Sequence, residues 1–542
     1  MKKRAALSMA AALVLSALLT ACGGLQPQGN MEDQGAQGPQ VLQLVTNNEP
    51  ADLDSATSTD VISGTILNNV MEGLMRLDKD DKPQPAIASS YEVSEDKKTY
   101  TFTLRDAKWS DGEPVKAQDF EYAWKRALDP KTKSEYAYIL YPIKNAEKYN
   151  TGKAKASDVG VRALDDKTLE VQLEEPIPYF LSLTTFSTYL PQRKDIVEKF
   201  GGDYAKEPDK MVFNGPFVLA EWAHEQSLLL KKNDNYWDRN SVFLQDVKID
   251  IIKDTSTGLN LYTSNQKDMT MLDKAFAEAF KSSPEFISVS GSLVQYINFN
   301  TKNTFLSNTK IRKAISLAID RESIVKQVLK DGSQPAGGFV PPSILGYNES
   351  FRKQARDYQQ FQPAEAKQLL KLGMQELGID SPPTLTLLSY NDERKDVSVV
   401  LKDQLEKTLG LKVKVNPQPL KQKIELEQRG EFDLSFAGWK ADYNDPMTFL
   451  DMWVTDGPFN VGKWSNKKYD ELIKKSKSNP DFKERINDLI EAERILLEEK
   501  VAIAPVYYKN QAYLVKPHVK NLYFHSFNVE YTLKETYIEN KQ

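Results

Sequence analysis

Apolar and polar residues alternate with a period of two in several short stretches of the chain. Residues 41–45 read Val-Leu-Gln-Leu-Val, and residues 100–104 read Tyr-Thr-Phe-Thr-Leu. Because successive side chains of a strand point to opposite faces, this alternation predicts half-buried strands. Comparable apolar runs predict strands over residues 288–300, 384–388, 411–415 and 432–439.

Other stretches repeat their apolar residues at the spacing of an amphipathic helix. Pro363 opens one such stretch and Gly378 follows its end, as is usual at helix termini. Strands and helices alternate along the chain, so the sequence predicts α/β lobes. A chain of 542 residues also exceeds a single core, which favours several domains. The remaining helices are predicted over residues 117–128, 310–330, 395–409 and 481–500.

The first 22 residues have the composition of a secretion signal. Lys2, Lys3 and Arg4 precede an apolar stretch, residues 5–19, that is too short to be a good membrane span. It ends in Leu19-Thr20-Ala21-Cys22, which resembles the lipobox of bacterial lipoproteins. The resemblance implies a signal peptide over residues 1–21 and a diacylated (palmitate-type) Cys22. An ordinary signal peptide with an incidental cysteine is the alternative.

Residues 22–40 are rich in Gly, Gln and Pro and have almost no large apolar side chains. Such a segment cannot bury enough surface to fold, so it is interpreted as a flexible tether. Anchor and tether together predict an extracytoplasmic protein, lipid-anchored to the outer face of the cytoplasmic membrane.

Composition excludes several classes of function. The net charge of −5 argues against nucleic acid as a partner. A single cysteine and three scattered histidines supply no His/Cys metal site. The chain has no glycine-rich phosphate-binding motif and no Gly-x-Ser-x-Gly elbow. The sequence therefore predicts no cofactor, no metal and no enzymatic activity.

The most distinctive stretch is residues 109–126, in which a Ser-Asp-Gly-Glu-Pro turn leads into a helix. This stretch resembles the signature of the oligopeptide and dipeptide class of extracellular solute-binding proteins. Five further segments resemble the same family, in the same order along the chain. They are Glu72-Gly-Leu-Met-Arg-Leu-Asp78, Asn214-Gly-Pro-Phe217, Asn235-Tyr-Trp-Asp238, residues 311–321, and Gly438-Trp-Lys-Ala-Asp-Tyr-Asn-Asp-Pro446.

The resemblance, which is closest to oligopeptide-binding proteins, implies a two-lobed periplasmic-binding-protein-like fold of type II. An extra α/β domain is inserted in the N-terminal lobe, and two segments cross between the lobes at a hinge. On this scheme lobe 1 comprises residues 41–71, 196–295 and 508–542, the inserted domain residues 72–195, and lobe 2 residues 296–507. The resemblance also implies a monomer that encloses an oligopeptide and delivers it to the permease subunits and ATPases of an ABC importer.

Asp442 is the main candidate for ligand binding. A protein that binds many peptides must hold what all of them share, namely the backbone and the charged ends. A buried carboxylate suits the α-ammonium, because an uncompensated charge in a closed site is costly. The resemblance implies this role for Asp442, whereas the local sequence alone also fits a helix-cap or turn residue.

Several other residues are candidates through the resemblance alone. Gly438, Trp439 and Lys440 are implied to pair with the peptide backbone or to wall a side-chain pocket. Thr59, Asp60 and Val61 match a second backbone-pairing segment, Tyr136 matches a pocket tyrosine, and Asn298 is a further pocket candidate.

The binding of the peptide's carboxylate is where the chain departs from the family. Phe436 stands where some relatives have an arginine, and Arg394 aligns with another basic anchor position. Arg394 is therefore a candidate anchor, with a solvated charge at a helix start as the alternative.

Other functions remain open at this point. Within the family, the ligand could be a signalling peptide, a nickel chelate, haem or a sugar. Outside it, the alternatives are a surface peptidase, which would need a nucleophile or metal that no motif supplies, and a surface chaperone or adhesin.

Overall fold

The computed structural model describes residues 38–358, 360–392, 394–457 and 459–541, with the backbone alone at residue 421. Cys22, the signal peptide and most of the predicted tether lie outside these residues. The described chain is a mixed α/β protein built on three sheets of four or more strands.

The first sheet combines the start of the chain with a later hairpin. Val41–Thr46 pairs in parallel with Asp246–Ile251, which is followed in antiparallel order by Ser227–Lys232 and Phe217–Ala223. The second four-stranded sheet is antiparallel, and its order is Ala88–Val93, Thr99–Leu104, Thr168–Gln172 and Val161–Ala163. Both sheets contribute to one continuous apolar core, which includes Leu42, Val247 and Phe102.

The third sheet is the largest and is centred on two long antiparallel strands, Phe286–Phe299 and Ile503–Val515. Their pairing is interrupted by register shifts between Ser290 and Leu293 and between Gln295 and Tyr296. Helices cover both faces of this sheet, one face contributing a core around Ile311 and Leu401 and the other a core around Trp453 and Leu489. The flanking strands are Met269–Leu272, Leu434–Lys440, Leu385–Tyr390, Val413–Gln418 and the short Gln334–Pro335.

The sequence predicts most helix bounds to within a residue or two. Ala117–Leu128 and Pro363–Leu377 match the prediction, and the latter ends at Gly378 with a φ of +65°. The other helices of at least seven residues are Val61–Val70, Lys194–Phe200, Thr255–Thr263, Lys274–Phe280, Thr309–Leu317, Arg394–Leu409, Leu420–Arg429, Lys467–Ser478 and Phe482–Arg494.

The prediction of a single helix over residues 310–330 is wrong. Thr309–Leu317 ends, and a new helical segment starts at Arg321 because the Asp320 side chain accepts a hydrogen bond from the Ser323 backbone at 3.0 Å. The buried Arg321 side chain donates to the backbone oxygens of Pro505 and Ile319 at 2.7 and 3.1 Å. At this interruption of the helix, the charged side chain of Arg321 bonds to backbone acceptors inside the core.

Three of the family motifs meet in one buried hydrogen-bond network around Glu72. The Asn214 side chain bonds the backbone of Glu72 in both directions, at 2.9 Å each. The Glu72 carboxylate accepts from the Tyr236 hydroxyl at 2.8 Å and from the Trp237 indole at 2.6 Å. Glu72 is 2% exposed. The motifs that carry the resemblance are thus scaffold at these positions.

Candidate functional site

Asp442 lies two residues beyond the end of the strand Leu434–Lys440, in the connection to the short helix Met447–Leu450. Asp445, which precedes the N-cap residue Pro446, forms a turn there, because its side chain accepts a hydrogen bond from the Met447 backbone at 2.9 Å. The turn role that the local sequence allowed for Asp442 is therefore filled by Asp445. Asp442 is left with its carboxylate directed at a cavity.

The carboxylate of Asp442 has one described hydrogen-bond donor, the hydroxyl of Tyr138 at 3.0 Å. No ion pair with Asp442 forms among the residues that the structure describes. Burial raises the pKa of Asp442 from 3.8 to about 6, an effect that the Tyr138 hydrogen bond and the charge of Lys440 oppose. An acid of this kind is stabilised in its charged form when a cation enters the cavity.

The Asp442 cavity has a volume of about 680 Å³. It brings together residues from six separate segments of the chain, which is the arrangement expected of a ligand site. Seven of the residues singled out from the sequence line it: Thr59, Asp60, Val61, Tyr136, Trp439, Lys440 and Asp442.

Aromatic side chains wall the Asp442 cavity on two sides. Tyr136 packs against Phe186 with ring centroids 4.9 Å apart, and burial raises the pKa of Tyr136 to about 12. On the other side the Trp439 ring meets Phe459 at 4.8 Å, while its indole donates to the Thr448 backbone at 2.8 Å. Rigid aromatic walls of this kind suit apolar side chains of varied shape.

The start of the helix Val61–Val70 forms another part of the lining. One oxygen of Asp60 caps this helix by accepting from the Ser63 backbone at 2.8 Å. Its other oxygen, Oδ2, is buried and has no hydrogen-bond partner in the described part of the chain. Asp60 therefore adds a second acceptor to a cavity that already contains Asp442.

The strand that leads to Asp442 is paired on one side only over its last five residues. Leu434–Lys440 pairs with the long strand Phe286–Phe299 along its whole length, but with Leu385–Tyr390 only at Leu434 and Ser435. Beyond Ser435 no described strand pairs with its other edge. An open strand edge beside a cavity can accept an extended ligand backbone.

A second cavity, of about 670 Å³, contains Arg394. The Arg394 guanidinium binds Asp392, with Nε 2.9 Å from Oδ1, and lies 3.3 Å from the ring centroid of Tyr390. Leu293 and Gln295 line this Arg394 cavity, and they pair in register with Lys440 and Gly438. The two cavities therefore adjoin the same pair of strands, one through Lys440 and the other through Leu293 and Gln295.

Two further sequence candidates, Gly438 and Asn298, line neither cavity. A Cβ atom at Gly438 would come within 2.5 Å of the Gln295 amide. Asn298 is 2% exposed, faces Ser435 in the sheet and lines neither cavity. Phe436, which replaces the arginine of some relatives, is fully buried in the core beside Tyr390 and Tyr507.

Tyr138 is a site residue that the sequence does not reveal. It is 304 residues from Asp442 along the chain, and the resemblance points to its neighbour Tyr136 instead. The alternation Tyr136-Ala137-Tyr138 contains a weak signal, because both hydroxyls could face one side of an irregular segment. The pairing with Asp442 depends on tertiary structure alone.

Two other kinds of feature are absent from the described residues. They contain no group of three or more His, Cys, Asp or Glu side chains able to hold a metal ion. None of their helices combines the length and apolar character needed to cross a membrane.

Fold and cavity together define a class, a two-lobed α/β binding protein of the periplasmic type. The family model described as bacterial extracellular solute-binding proteins, family 5 Middle, matches residues 82–461. The chain belongs to this family, in its oligopeptide class, which confirms the resemblance drawn from the motifs. Proteins of the family bind solutes outside the cytoplasm and are not enzymes, so the peptidase alternative is excluded.

Individual relatives match almost the entire chain. The dipeptide-binding protein DppE of Bacillus subtilis (strain 168) is 37% identical over 523 residues, 95% of this chain and 96% of its own. The solved structure of Listeria monocytogenes OppA bound to peptide is 38% identical, with a TM-score of 0.77, and covers 93% of this chain and 100% of its own. The pheromone receptor PrgZ is 35% identical, with a TM-score of 0.78 and the same coverages.

Proposed function

We propose that the chain binds oligopeptides outside the cytoplasm and delivers them to an ABC peptide importer. The single observation that carries the proposal is Asp442, a partly buried carboxylate that faces a cavity and has a hydroxyl as its described partner. Relatives named for oligopeptide and dipeptide binding support the choice of ligand.

The α-ammonium of the peptide binds Asp442. A charged ammonium would be a cationic partner in direct contact with Asp442. The present donor, the Tyr138 hydroxyl, is neutral and cannot balance the charge of the carboxylate. Asp60 lies in the same cavity and adds a second acceptor for the ammonium or for the first backbone N–H.

The peptide backbone extends along the open edge of the strand Leu434–Lys440. The peptide runs along this edge from Asp442 past Lys440 to Gly438, and so from the Asp442 cavity toward the Arg394 cavity. Pairing through backbone groups is independent of sequence, and the aromatic walls at Tyr136 and Trp439 take side chains of varied shape. This division of tasks suits a binder of many peptides.

The test of the proposal is calorimetry with the peptide tetra-alanine and its N-acetylated form. We expect Asp442→Asn to weaken binding of tetra-alanine by about 30-fold to several thousand-fold, since a buried charge loses its partner. Asp451→Asn is the matched control, because burial also raises the pKa of Asp451 to about 6 but this residue does not line the cavity. Equal affinity for free and acetylated tetra-alanine would contradict the proposal.

Arg394 receives the C-terminal carboxylate of peptides long enough to reach its cavity. Its present partner Asp392 holds the guanidinium in place beside Tyr390. Amidation of the peptide should weaken binding to the wild type and have less effect on Arg394→Ala. An equal amide penalty in both proteins removes this role from Arg394.

A dedicated signalling-peptide receptor is the second candidate, and the similarity to PrgZ favours it. Native mass spectrometry of the purified protein separates the two. A spread of co-purifying short peptides, lost in Asp442→Asn, supports general peptide capture, whereas one defined species supports a receptor.

The remaining proposals concern the setting of the protein. Cys22 is diacylated and anchors the mature chain to the outer face of the cytoplasmic membrane through residues 22–40. The body is a monomer that closes at a hinge between lobe 1 and lobe 2, and its partners are the permease subunits and ATPases of the importer. Cys22→Ser should release the protein from the membrane fraction, and full retention would exclude the lipid anchor.

A further inference from the structure

Lys440 is the single cationic side chain among the described residues that line the Asp442 cavity. The other charged residues of the lining are the acids Asp60, Glu135 and Asp442. Lys440 is the last residue of the strand Leu434–Lys440, so its position is fixed by pairing with Leu293 across the sheet. A fixed cation in an otherwise acidic cavity calls for an explanation.

The ammonium of Lys440 forms no hydrogen bond or ion pair with any residue in the described ranges. Glu530 and Asp442 are the acids whose charges act on it, and burial lowers the pKa of Lys440 in spite of them. Glu530 is itself partly buried, and desolvation raises its pKa. Neither acid is close enough to neutralise the ammonium by direct contact.

Buried cations elsewhere in the described chain bond directly to an acid or, as Arg312 and Arg321 do, to backbone oxygens. Lys423 is 2.6 Å from Glu427, and Arg485 makes two hydrogen bonds to Asp445 at 2.7 and 2.8 Å. Pairing is the rule because a desolvated charge without a partner is strongly destabilising. Lys440, which is partly buried, has no such direct partner and lies where a bound ligand would contact it.

We propose that Lys440 is a specificity residue that receives a carboxylate of the bound peptide, so that the site selects peptides with a negative group close to their free N-terminus. The inference rests on the proposed function, in which Asp442 holds the α-ammonium. Lys440 and Asp442 are two residues apart and both line the cavity. At the rise of an extended chain their Cα atoms are about 6 to 7 Å apart.

Two kinds of carboxylate meet this spacing. One is the side chain of Asp or Glu at one of the first positions of a longer peptide. The other is the C-terminal carboxylate of a peptide of two or three residues. Both offer the same chemistry to the ammonium, and the experiment separates them.

The experiment is calorimetry of the purified protein with two sets of peptides. The first set is amidated tetra-alanine with Glu at the first, second or third position, each matched by the peptide with Gln at that position. The second set is di-alanine and tri-alanine as free acids and as amides. The wild type should prefer Glu to Gln, or acid to amide, by about tenfold or more in at least one matched pair.

Lys440→Met should abolish that preference, and Lys440→Arg should retain it. Glu530→Gln is the matched control, since it removes the acid facing Lys440 without touching the ammonium; it should leave the preference in place. A Glu/Gln preference assigns the role to side-chain carboxylates, and an acid/amide preference in the short peptides assigns it to the C-terminus.

Unchanged ratios in Lys440→Met, with both proteins folded by thermal unfolding, overturn the inference and leave Lys440 as a structural charge facing Glu530. That outcome is distinct from failure of the proposed function. If tetra-alanine does not bind the wild type at all, or binds Asp442→Asn equally well, the peptide site itself is wrong and the role of Lys440 falls with it.

Discussion

Asp442 and Asp445 stand three residues apart in one connection of the chain and have opposite surroundings. Asp445 is 2% exposed and receives two hydrogen bonds from Arg485, together with the backbone N–H of Met447. Asp442 faces a cavity and receives one hydrogen bond from a neutral hydroxyl. Asp445 has a cationic partner in direct contact, whereas the described contact of Asp442 is a neutral hydroxyl.

The difference separates a structural acid from a binding acid. The Asp445–Arg485 pair lies beside Tyr179, whose ring stacks on that of Tyr443 with centroids 4.6 Å apart and planes 9° apart. The pair therefore joins the connection to the region that carries Tyr179 and holds Tyr443 in place. Asp442, one residue before Tyr443, is positioned by this support without being neutralised by it.

The largest expected effect comes from removing the partner of the structural acid. Arg485→Met leaves Asp445 buried and unpaired, so we expect the free energy of unfolding to fall by about 3–5 kcal/mol. Urea unfolding of the ligand-free protein measures it. The double variant Asp445→Asn, Arg485→Met removes both charges and should recover part of the loss, and a single variant as stable as the wild type would show that the pair is not structural.

Asp442→Asn should act in the opposite direction on stability. The pKa of Asp442 is raised from 3.8 to about 6 in the folded chain, so its ionisation at neutral pH works against folding. The variant should be more stable than the wild type by about 1–3 kcal/mol at pH 7.5 in the absence of ligand.

The sign of this gain is checked by lowering the pH. The advantage of Asp442→Asn should shrink below about pH 6 and disappear by about pH 3, where the wild-type carboxyl is protonated in both states. Urea unfolding at pH 7.5, 5.5 and 4 follows it. A variant less stable than the wild type at pH 7.5 would assign Asp442 a structural role like that of Asp445.

The smallest effect is on the pH dependence of binding. A free α-ammonium binds the ionised form of Asp442, whose pKa is about 6 before the ligand enters. Affinity for tetra-alanine should be about tenfold lower at pH 5 than at pH 7, because about one site in ten is ionised at the lower pH. Asp442→Asn should lack this acid limb, and an equally steep decline in the variant would assign the effect to another group.

The sequence predicts the elements well where one local signal is decisive. Pro363 and Gly378 delimit a helix because one residue lacks a backbone N–H and the other adopts a left-handed conformation, with φ +65°. The prediction over residues 310–330 is wrong because helical periodicity continues through Asp320, and periodicity does not register a side chain that caps a new helix.

A residue of the candidate site can be predicted from the sequence when its position depends on one segment of the chain. Asp442 can be placed at the end of a strand from the sequence and the resemblance. Tyr138 cannot, because its hydrogen bond to Asp442 requires two regions of the chain to meet. The unpaired state of Lys440 is beyond prediction for the same reason, since it depends on how far Glu530 lies from the end of a strand.

The network around Glu72 has a consequence for protein engineering. Its members, Asn214, Tyr236 and Trp237, line neither the Asp442 cavity nor the Arg394 cavity. A library of substitutions in the lining of those cavities therefore replaces no member of this network. Variants of the pocket residues can therefore be screened for new peptide biosensors while the residues of the Glu72 network are kept unchanged.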